Sequence, residues 1–218
     1  MTTKRKIDYL MFKLQGSIIK VDPDIYLKIF NTSVEPRRKY NGDIKSVRMS
    51  PDGYPVVIIG KNPSRYVPLS RFVTGAKKGQ LVDHRNRNPF DNCRSNLRFA
   101  TRRENNLNKK SNNDTGFFGV CIKHQGKRTY CSAKFMPADG KELVFQLPDN
   151  SANRIVAAFA RDKFVLLSGD EEFAPLNFPC FQYEPFRSIL LNEDLRKYKT
   201  ERNANSQKEF PLMKNYKK

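Results

Sequence analysis

A histidine stands beside a carboxylate in the most basic region of the chain. Asp83 and His84 are adjacent, and His84 is one of only two histidines in 218 residues. Hydrolysis of a phosphodiester needs a base that takes a proton from water, and positive charge on the phosphoryl and leaving oxygens. An imidazole suits the base role near neutral pH, and a carboxylate is a hard ligand suited to Mg²⁺. The pair therefore has the side chains of metal-dependent phosphodiester hydrolysis.

Two asparagines follow at spacings that can complete such a site. Asn96 lies twelve residues after His84, and Asn105 lies nine residues further on. If two strands pair across the intervening loop and a helix folds back over them, Asp83 and Asn105 can share one metal ion. Asn96 can then pin the loop and orient the imidazole. Asn106 is the alternative to Asn105, because the sequence does not fix the register of the helix.

Local patterns predict the elements that must position these residues. Residues 81–82 suit a short buried strand, and residues 97–100 suit a second one. The segment between them is rich in Asn, Asp, Pro and Arg, which is typical of a loop. Thr101 and Glu104 have the spacing of a capping box, so a helix is predicted from there to about Asn108. The order is strand, loop, strand, helix.

Charge and composition restrict the partner. A formal net charge of +19 favours a polyanion. No apolar run approaches the length of a membrane span, and no apolar segment follows the basic start of the chain, so we expect no membrane partner, no secretion signal and a cytoplasmic location in a prokaryotic or phage-infected cell. The four cysteines form no CxxC pair, and we expect free thiols and no zinc. Double-stranded DNA is the expected partner.

A long pattern surrounds the Asp-His pair. It consists of Asp83, His84, Asn86, Asn88, Pro89, Asp91, Asn92, Arg94, Ser95, Asn96, Leu97, Arg98, Thr101, Glu104 and Asn105. This pattern resembles the HNH homing endonucleases, whose nuclease core is a ββα-metal motif. The resemblance implies that His84 is the general base and that Asp83 and Asn105 are ligands of Mg²⁺, with Mn²⁺ as the alternative ion. Asn96 corresponds to the middle residue of the H-N-N set and is counted as catalytic.

The resemblance also implies that arginines contact phosphates or stabilise charge in the transition state. These arginines are Arg85, Arg87, Arg94, Arg98, Arg102 and Arg103. The chain departs from the family at two positions. Ser70 stands where a histidine usually precedes the arginine of the segment "LSRFV", and Cys93 stands where an arginine or similar residue is commoner.

A second module is predicted over residues 116–179. Three strands precede a long amphipathic helix, which is capped by Asn150 or Ser151 and closed by Gly169. The segments "GFFGV", "AAFARDKFVLLSG" and "LNFP" resemble the APETALA-type DNA-binding domain, although the chain lacks that family's tryptophans.

Strand alternation divides the middle strand of this module between two faces. Cys131, Ala133 and Phe135 are predicted to face the helix, and Tyr130, Ser132 and Lys134 the open side. Such a sheet can lie in the major groove. The predicted DNA contacts are Lys123, Lys127, Arg128, Tyr130 and Lys134.

The predicted fold class is α+β, with a small β-rich N-terminal region, a ββα-metal HNH core, and a three-stranded antiparallel sheet packed on one helix. In the first region, a short helix follows an Asp22 cap and Pro23, three strands follow from Asp43, and a further helix ends at Gly75. The predicted segments are a DNA-binding region at 1–78, the nuclease core at 79–110, a linker at 111–115, the second module at 116–179 and a basic tail at 180–218.

Two functions are consistent with these patterns. The first is a site-specific HNH DNA endonuclease that leaves 5′-phosphate and 3′-hydroxyl ends, acting as a monomer that nicks or as a homodimer that cuts both strands. The second is a non-enzymatic, sequence-specific DNA-binding regulator that uses the HNH fold as a scaffold. An isolated Asp-His dipeptide would more often be an ordinary half-buried histidine beside a solvated basic face. The presence of His84, Asp83 and Asn96 together favours the enzyme.

Overall fold

The computed structural model describes residues 8–30, 44–60, 63–110 and 113–200. The chain divides into two compact units, residues 1–106 and residues 107–218. Both units combine small antiparallel sheets with a few helices, which agrees with the predicted α+β class. The end of the predicted tail, residues 201–218, lies outside the described residues, as do residues 31–43 of the predicted N-terminal region.

The first unit begins with a β-hairpin that the sequence analysis did not predict. β1 (Leu10–Leu14) and β2 (Ser17–Val21) pair antiparallel across a two-residue turn. The turn residues Gln15 and Gly16 both have positive φ, 46° and 86°, as a tight hairpin turn requires. A Gln-Gly pair between two short apolar runs was the available signal. α1 (Pro23–Ile29) follows, with Asp22 at the N-cap position as predicted, but the Asp22 side chain accepts no hydrogen bond from the helix.

The next elements confirm the predicted strands and helix. β3 (Ile44–Met49), β4 (Pro55–Ile59) and β5 (Arg65–Pro68) form an antiparallel sheet in the order β3-β4-β5. α2 (Leu69–Thr74) then ends at Gly75, whose φ of 66° is the left-handed conformation common after a helix.

A strand pair and a helix follow, in the predicted order. β6 (Leu81–His84) pairs antiparallel with β7 (Leu97–Ala100), and α3 (Arg102–Leu107) comes next. The capping box is present: the Thr101 N–H donates to Glu104 Oε2 at 2.6 Å, and the Glu104 N–H donates to Thr101 Oγ1 at 3.2 Å.

One hydrophobic core joins the hairpin β1–β2, the helices α1 and α2, and the strands β3, β4, β6 and β7. Leu97 of β7 is buried together with Ile19 of β2 and Val57 of β4, and Val82 and Phe90 pack against the same cluster. The predicted boundary between residues 78 and 79 therefore lies within a shared core. Residues 79–106 and the N-terminal strands fold as one unit.

The second unit contains the predicted sheet and long helix. β8 (Val120–Gln125), β9 (Arg128–Phe135) and β10 (Leu143–Pro148) form an antiparallel sheet in the order β10-β9-β8. α4 (Ser151–Ser168) packs on it. Of the two candidate caps, Asn150 is the one used, because its Oδ1 accepts the N–H of Asn153 at 2.8 Å.

This unit extends beyond both predicted boundaries. Asn113, in the predicted linker, donates through Nδ2 to the carbonyl oxygens of Phe117 and Val120 at 2.8 and 2.6 Å. At the other end, Phe181, Leu190 and Leu195 are buried in the unit's core. Residues 180–198 are thus part of the packed unit and not a separate tail.

Two short helices follow in the second unit. α5 (Phe186–Asn192) and α6 (Lys197–Thr200) are separated by a short break. The Asp194 side chain accepts the N–H of Arg196 at 3.0 Å, which is a local turn that competes with the helix.

A buried carboxylate ties the two ends of the second unit together. Asp162 of α4 is fully buried and accepts the backbone N–H groups of Asn177 and Phe178, each at 2.9 Å. The Asn177 side chain in turn pairs with the backbone of Phe118. Burial raises the pKa of Asp162 to about 6, although these N–H donors and the neighbouring Arg161 lower it. The "GFFGV" and "LNFP" segments meet through this carboxylate.

Replacing this carboxylate is expected to destabilise the second unit. Asp162→Ala leaves the N–H groups of Asn177 and Phe178 without this acceptor and the buried Arg161 without its carboxylate partner, so the free energy of unfolding should fall by about 3–5 kcal/mol. Urea denaturation followed by circular dichroism measures this. The control is Asp114→Ala, at an exposed position. Equal stabilities of the two variants would contradict the stabilising role of Asp162 in the second unit.

Candidate functional site

The strand pair β6–β7 places Asp83 and His84 on opposite sides. Asp83 lies opposite Arg98 in the register, and His84 lies opposite Leu97. Asp83 is buried, whereas His84 is half-buried. Adjacent residues of a strand point to opposite faces, which separates the two side chains.

Asp83 forms an internal ion pair. Its Oδ2 accepts hydrogen bonds from Nε of Arg98 at 2.8 Å and from Nη2 at 2.7 Å. The two side chains are only 7% and 5% exposed. A buried carboxylate needs such a partner, because removing it from water is otherwise costly. Arg98 therefore lies against Asp83 and not on the surface, which differs from its predicted placement at a phosphate.

His84 is held in an environment that favours its neutral form. Burial lowers its pKa by more than the hydrogen bond to Asn92 and the charges of Asp83 and Asp91 raise it. Its Nε2 lies 3.3 Å from Oδ1 of Asn92. A neutral imidazole can accept a proton near neutral pH, which is what a general base must do.

Asn96 fixes the loop between the two strands. Its Nδ2 donates to Oδ1 of Asn86 at 2.9 Å and to the carbonyl of Asp91 at 2.7 Å, and its Oδ1 accepts the N–H of Asn86 at 3.0 Å. Its own carbonyl accepts the N–H of Arg85 at 2.8 Å. Asn96 pins the loop, as predicted. Asn92, and not Asn96, makes the contact with the imidazole described above.

The same loop docks on the N-terminal hairpin. The Lys20 N–H donates to the Phe90 carbonyl, and the Asn92 N–H donates to the Lys20 carbonyl, each at 2.8 Å. These two bonds form a parallel bridge between Lys20 and Asp91. Lys20 Nζ also lies 3.7 Å from Oδ2 of Asp91. The loop that follows His84 is therefore an extension of the edge of β2.

Arg94 provides a second attachment, to the start of α1. Its guanidinium donates to both oxygens of Asp24, at 2.7 and 2.6 Å, and its backbone N–H donates to Oδ2 of Asp22 at 2.9 Å. The Arg94 guanidinium holds the pKa of Asp24 below its usual value. Arg94 was predicted to contact phosphate, but the structure places it in this ion pair.

The remaining predicted residues lie around the same strands and helix. Asn105 is half-buried on α3, with its N–H bonded to the Thr101 carbonyl at 3.0 Å, whereas Asn106 is exposed. This difference in exposure favours Asn105 over Asn106 as the candidate metal ligand. The other arginines are exposed or partly exposed: Arg85, Arg87, Arg102 and Arg103.

The donor atoms suit Mg²⁺ by chemistry. Asp83 has carboxylate oxygens, of which Oδ2 is bonded to Arg98, and Asn105 has an amide oxygen. Mg²⁺ prefers such hard oxygens and is usually bound by one or two carboxylates together with waters and phosphates. No group of three or more His, Cys, Asp and Glu side chains that could hold a metal ion occurs among the described residues.

In the second unit, the residues predicted to contact DNA are exposed or partly exposed. Cys131, Ala133 and Phe135 of β9 are buried in the core, as predicted. On the other side Lys123, Tyr130 and Lys134 are partly exposed, and Lys127 and Arg128 are exposed at the β8–β9 turn. Lys134 Nζ lies 3.2 Å from Oε1 of Glu142.

Ser132 is an exception on this face. It was predicted to be open, yet it is fully buried. It belongs to the central strand, between its register partners Cys121 of β8 and Gln146 of β10, and a small side chain there is covered by its larger neighbours.

Comparison of the chain with protein-family models, with curated proteins and with solved structures finds no match. In the parts of the chain that the structure describes, no helix has both the length and the apolar character needed to cross a membrane.

Removing the amide of Asn96 should loosen the loop. Asn96→Ala leaves the Asn86 N–H and the Asp91 carbonyl without their partner, so a loss of about 1–3 kcal/mol in the free energy of unfolding of the first unit is expected. Urea denaturation measures it, with the exposed neighbour Ser95→Ala as the control. A loss below about 0.5 kcal/mol, the usual effect of a surface substitution, would contradict the role of Asn96.

Proposed function

We propose that the chain is a Mg²⁺-dependent DNA endonuclease of the HNH homing type. The observation that carries the proposal is the environment of His84: a half-buried imidazole, favoured in its neutral form, next to a buried carboxylate at the end of β6. A capped helix with Asn105 on its second turn follows the paired strand. The reaction is hydrolysis of a phosphodiester, leaving 5′-phosphate and 3′-hydroxyl ends.

His84 acts as the general base in this proposal. It takes a proton from a water molecule, and the resulting hydroxide attacks the phosphorus while the bond to the 3′ oxygen breaks. A well-placed general base contributes about 10²–10⁴-fold to such a rate. The loop network of Asn96 supports this role, because it fixes the segment that begins directly after His84.

Asp83 and Asn105 would hold the Mg²⁺ ion through their side-chain oxygens. The ion, when bound, would supply positive charge to the phosphoryl and leaving oxygens. Arg98 contributes indirectly, because its two hydrogen bonds to Oδ2 fix the orientation of the Asp83 carboxylate. Arg98 is therefore a positioning residue.

Charge supports double-stranded DNA as the substrate. A net charge of +19 gives strong, salt-dependent attraction to phosphates. Arg85 and Arg102 are exposed near the site, and in the second unit Lys123, Tyr130 and Lys134 share one sheet face with which DNA can be read. One site per chain means that a monomer nicks one strand and a homodimer cuts both.

One observation favours a second function. Arg98 already neutralises Asp83 in a buried pair, as it would in a fold that serves only as a scaffold. The alternative is a non-enzymatic, sequence-specific DNA-binding regulator. We give preference to the endonuclease, because the half-buried His84 is favoured in the neutral form that a general base needs.

The proposal is tested by removing the base. Wild type and His84→Ala are incubated with supercoiled plasmid libraries that include the native locus, with Mg²⁺ or with EDTA, and relaxed and linear products are separated on a gel. The matched control is His124→Ala, which removes the other histidine at an exposed position on β8. We expect Mg²⁺-dependent cleavage by wild type and His124→Ala, and a loss of at least about 100-fold in His84→Ala.

The form of the product distinguishes a nick from a double-strand break. Binding of DNA without cleavage by all three proteins would contradict the endonuclease and support the regulator. Cleavage by His84→Ala at the wild-type rate would contradict the assignment of the base.

A further inference from the structure

Asn92 contacts the proposed base but was not predicted to have a role. It is 1% exposed and has a fixed position. Its backbone N–H donates to the Lys20 carbonyl at 2.8 Å, and its Nδ2 donates to the Pro89 carbonyl at 2.9 Å. The third contact, 3.3 Å long, joins its Oδ1 to Nε2 of His84.

The Pro89 contact determines which way the Asn92 amide points. A carbonyl oxygen only accepts hydrogen bonds, so the NH₂ group of Asn92 must face Pro89. The amide oxygen must then face His84. The alternative orientation would place two oxygens against each other at Pro89.

The amide oxygen determines in turn where His84 carries its proton. Oδ1 of Asn92 can only accept, so Nε2 of His84 is the donor in their contact. A neutral imidazole has one N–H, and placing it on Nε2 leaves Nδ1 as the nitrogen without a proton. The contact of Asn92 with Nε2 therefore makes Nδ1 the nitrogen that can accept a proton.

We propose that Asn92 is a positioning residue that holds neutral His84 in its Nε2–H tautomer, so that Nδ1 is the atom that takes a proton from the attacking water. This inference rests on the proposed endonuclease function. In the step, an O–H bond of water breaks and its proton goes to Nδ1. The hydroxide forms a bond to phosphorus, the bond from phosphorus to the 3′ oxygen breaks, and that oxygen takes a proton from solvent.

The same contact connects the base to the N-terminal hairpin. Asn92 is anchored through its backbone by the Lys20 carbonyl, at the edge of β2. Positioning of the imidazole therefore requires the hairpin as well as the loop. A segment containing only residues 79–110 has the base but not this anchor.

Nitrogen-15 NMR of the histidine rings tests the inference directly, because the full chain has only two histidines. Spectra of wild type and Asn92→Ala are recorded at a pH at which both rings are neutral, and His124→Ala identifies the His84 signals. Asn88→Ala is the control for removing an asparagine amide from the same loop, since the Asn88 side chain accepts the Phe90 N–H and not a ring nitrogen. Cleavage rates at saturating DNA are measured on the same proteins.

We expect a slowly exchanging Nε2–H signal from His84 in wild type and in Asn88→Ala. Asn92→Ala should lose this signal and should reduce kcat by about 10–100-fold with little change in KM, as is usual when a partner that orients a functional histidine is removed. Retention of the other dispersed amide signals shows that Asn92→Ala is folded.

Two results would overturn the inference: a wild-type His84 protonated on Nδ1, or an Asn92→Ala protein that keeps both the Nε2–H signal and the wild-type kcat. Failure of the proposed function is recognised separately. In that case wild type does not cleave DNA with Mg²⁺, whereas the ring signals still report whether Asn92 sets the tautomer.

Discussion

The docking of one loop on the edge of β2 is the constraint on which the site depends. The loop between β6 and β7 is long and polar, and such segments are usually mobile. Here two backbone hydrogen bonds at Lys20, each 2.8 Å long, extend the β2 edge into the loop. Asn96 closes the loop from the other side. His84 is held at one end of this assembly, and its position follows from contacts that begin in the N-terminal hairpin.

Ion pairs within each unit explain how a strongly basic chain uses part of its charge. Arg98 is buried against Asp83, and Arg94 binds Asp24 with both ends of its guanidinium. In the second unit Arg161 is buried beside Asp162. Arginine suits these positions because its planar fork donates several hydrogen bonds in fixed directions. These arginines shape the two units, and the exposed cations are the ones available to phosphates.

Local signals in the sequence predicted most elements and failed where distant residues meet. The capping box at Thr101 and Glu104 depends on neighbouring residues and is observed as predicted. The pairing of Asp83 with Arg98 joins residues on two strands, and nothing near either residue indicates it. The β1–β2 hairpin was missed because its strands are short and its turn is Gln-Gly.

In the candidate site, too, features that depend on local spacing were predicted, and contacts between distant residues were missed. The spacing of His84 and Asn96 was sufficient to predict a pinned loop after the histidine. The role of Asn92 could not be predicted, because it requires the orientation of an amide that only the Pro89 carbonyl defines. Its place in the pattern beside Asp91 was the one available signal. Burial of Ser132 likewise depends on neighbours in two other strands.

We infer that the loop and the hairpin form one cooperative structure. Native-state hydrogen exchange measures this for the amides of Asn86 and Asn92 in the loop and of Lys20 in β2. We expect all three amides to open with free energies within about 1 kcal/mol of the value for Val57 in the core, because amides of one cooperative unit exchange together. Opening free energies near zero for the loop amides, with Val57 still protected, would contradict it.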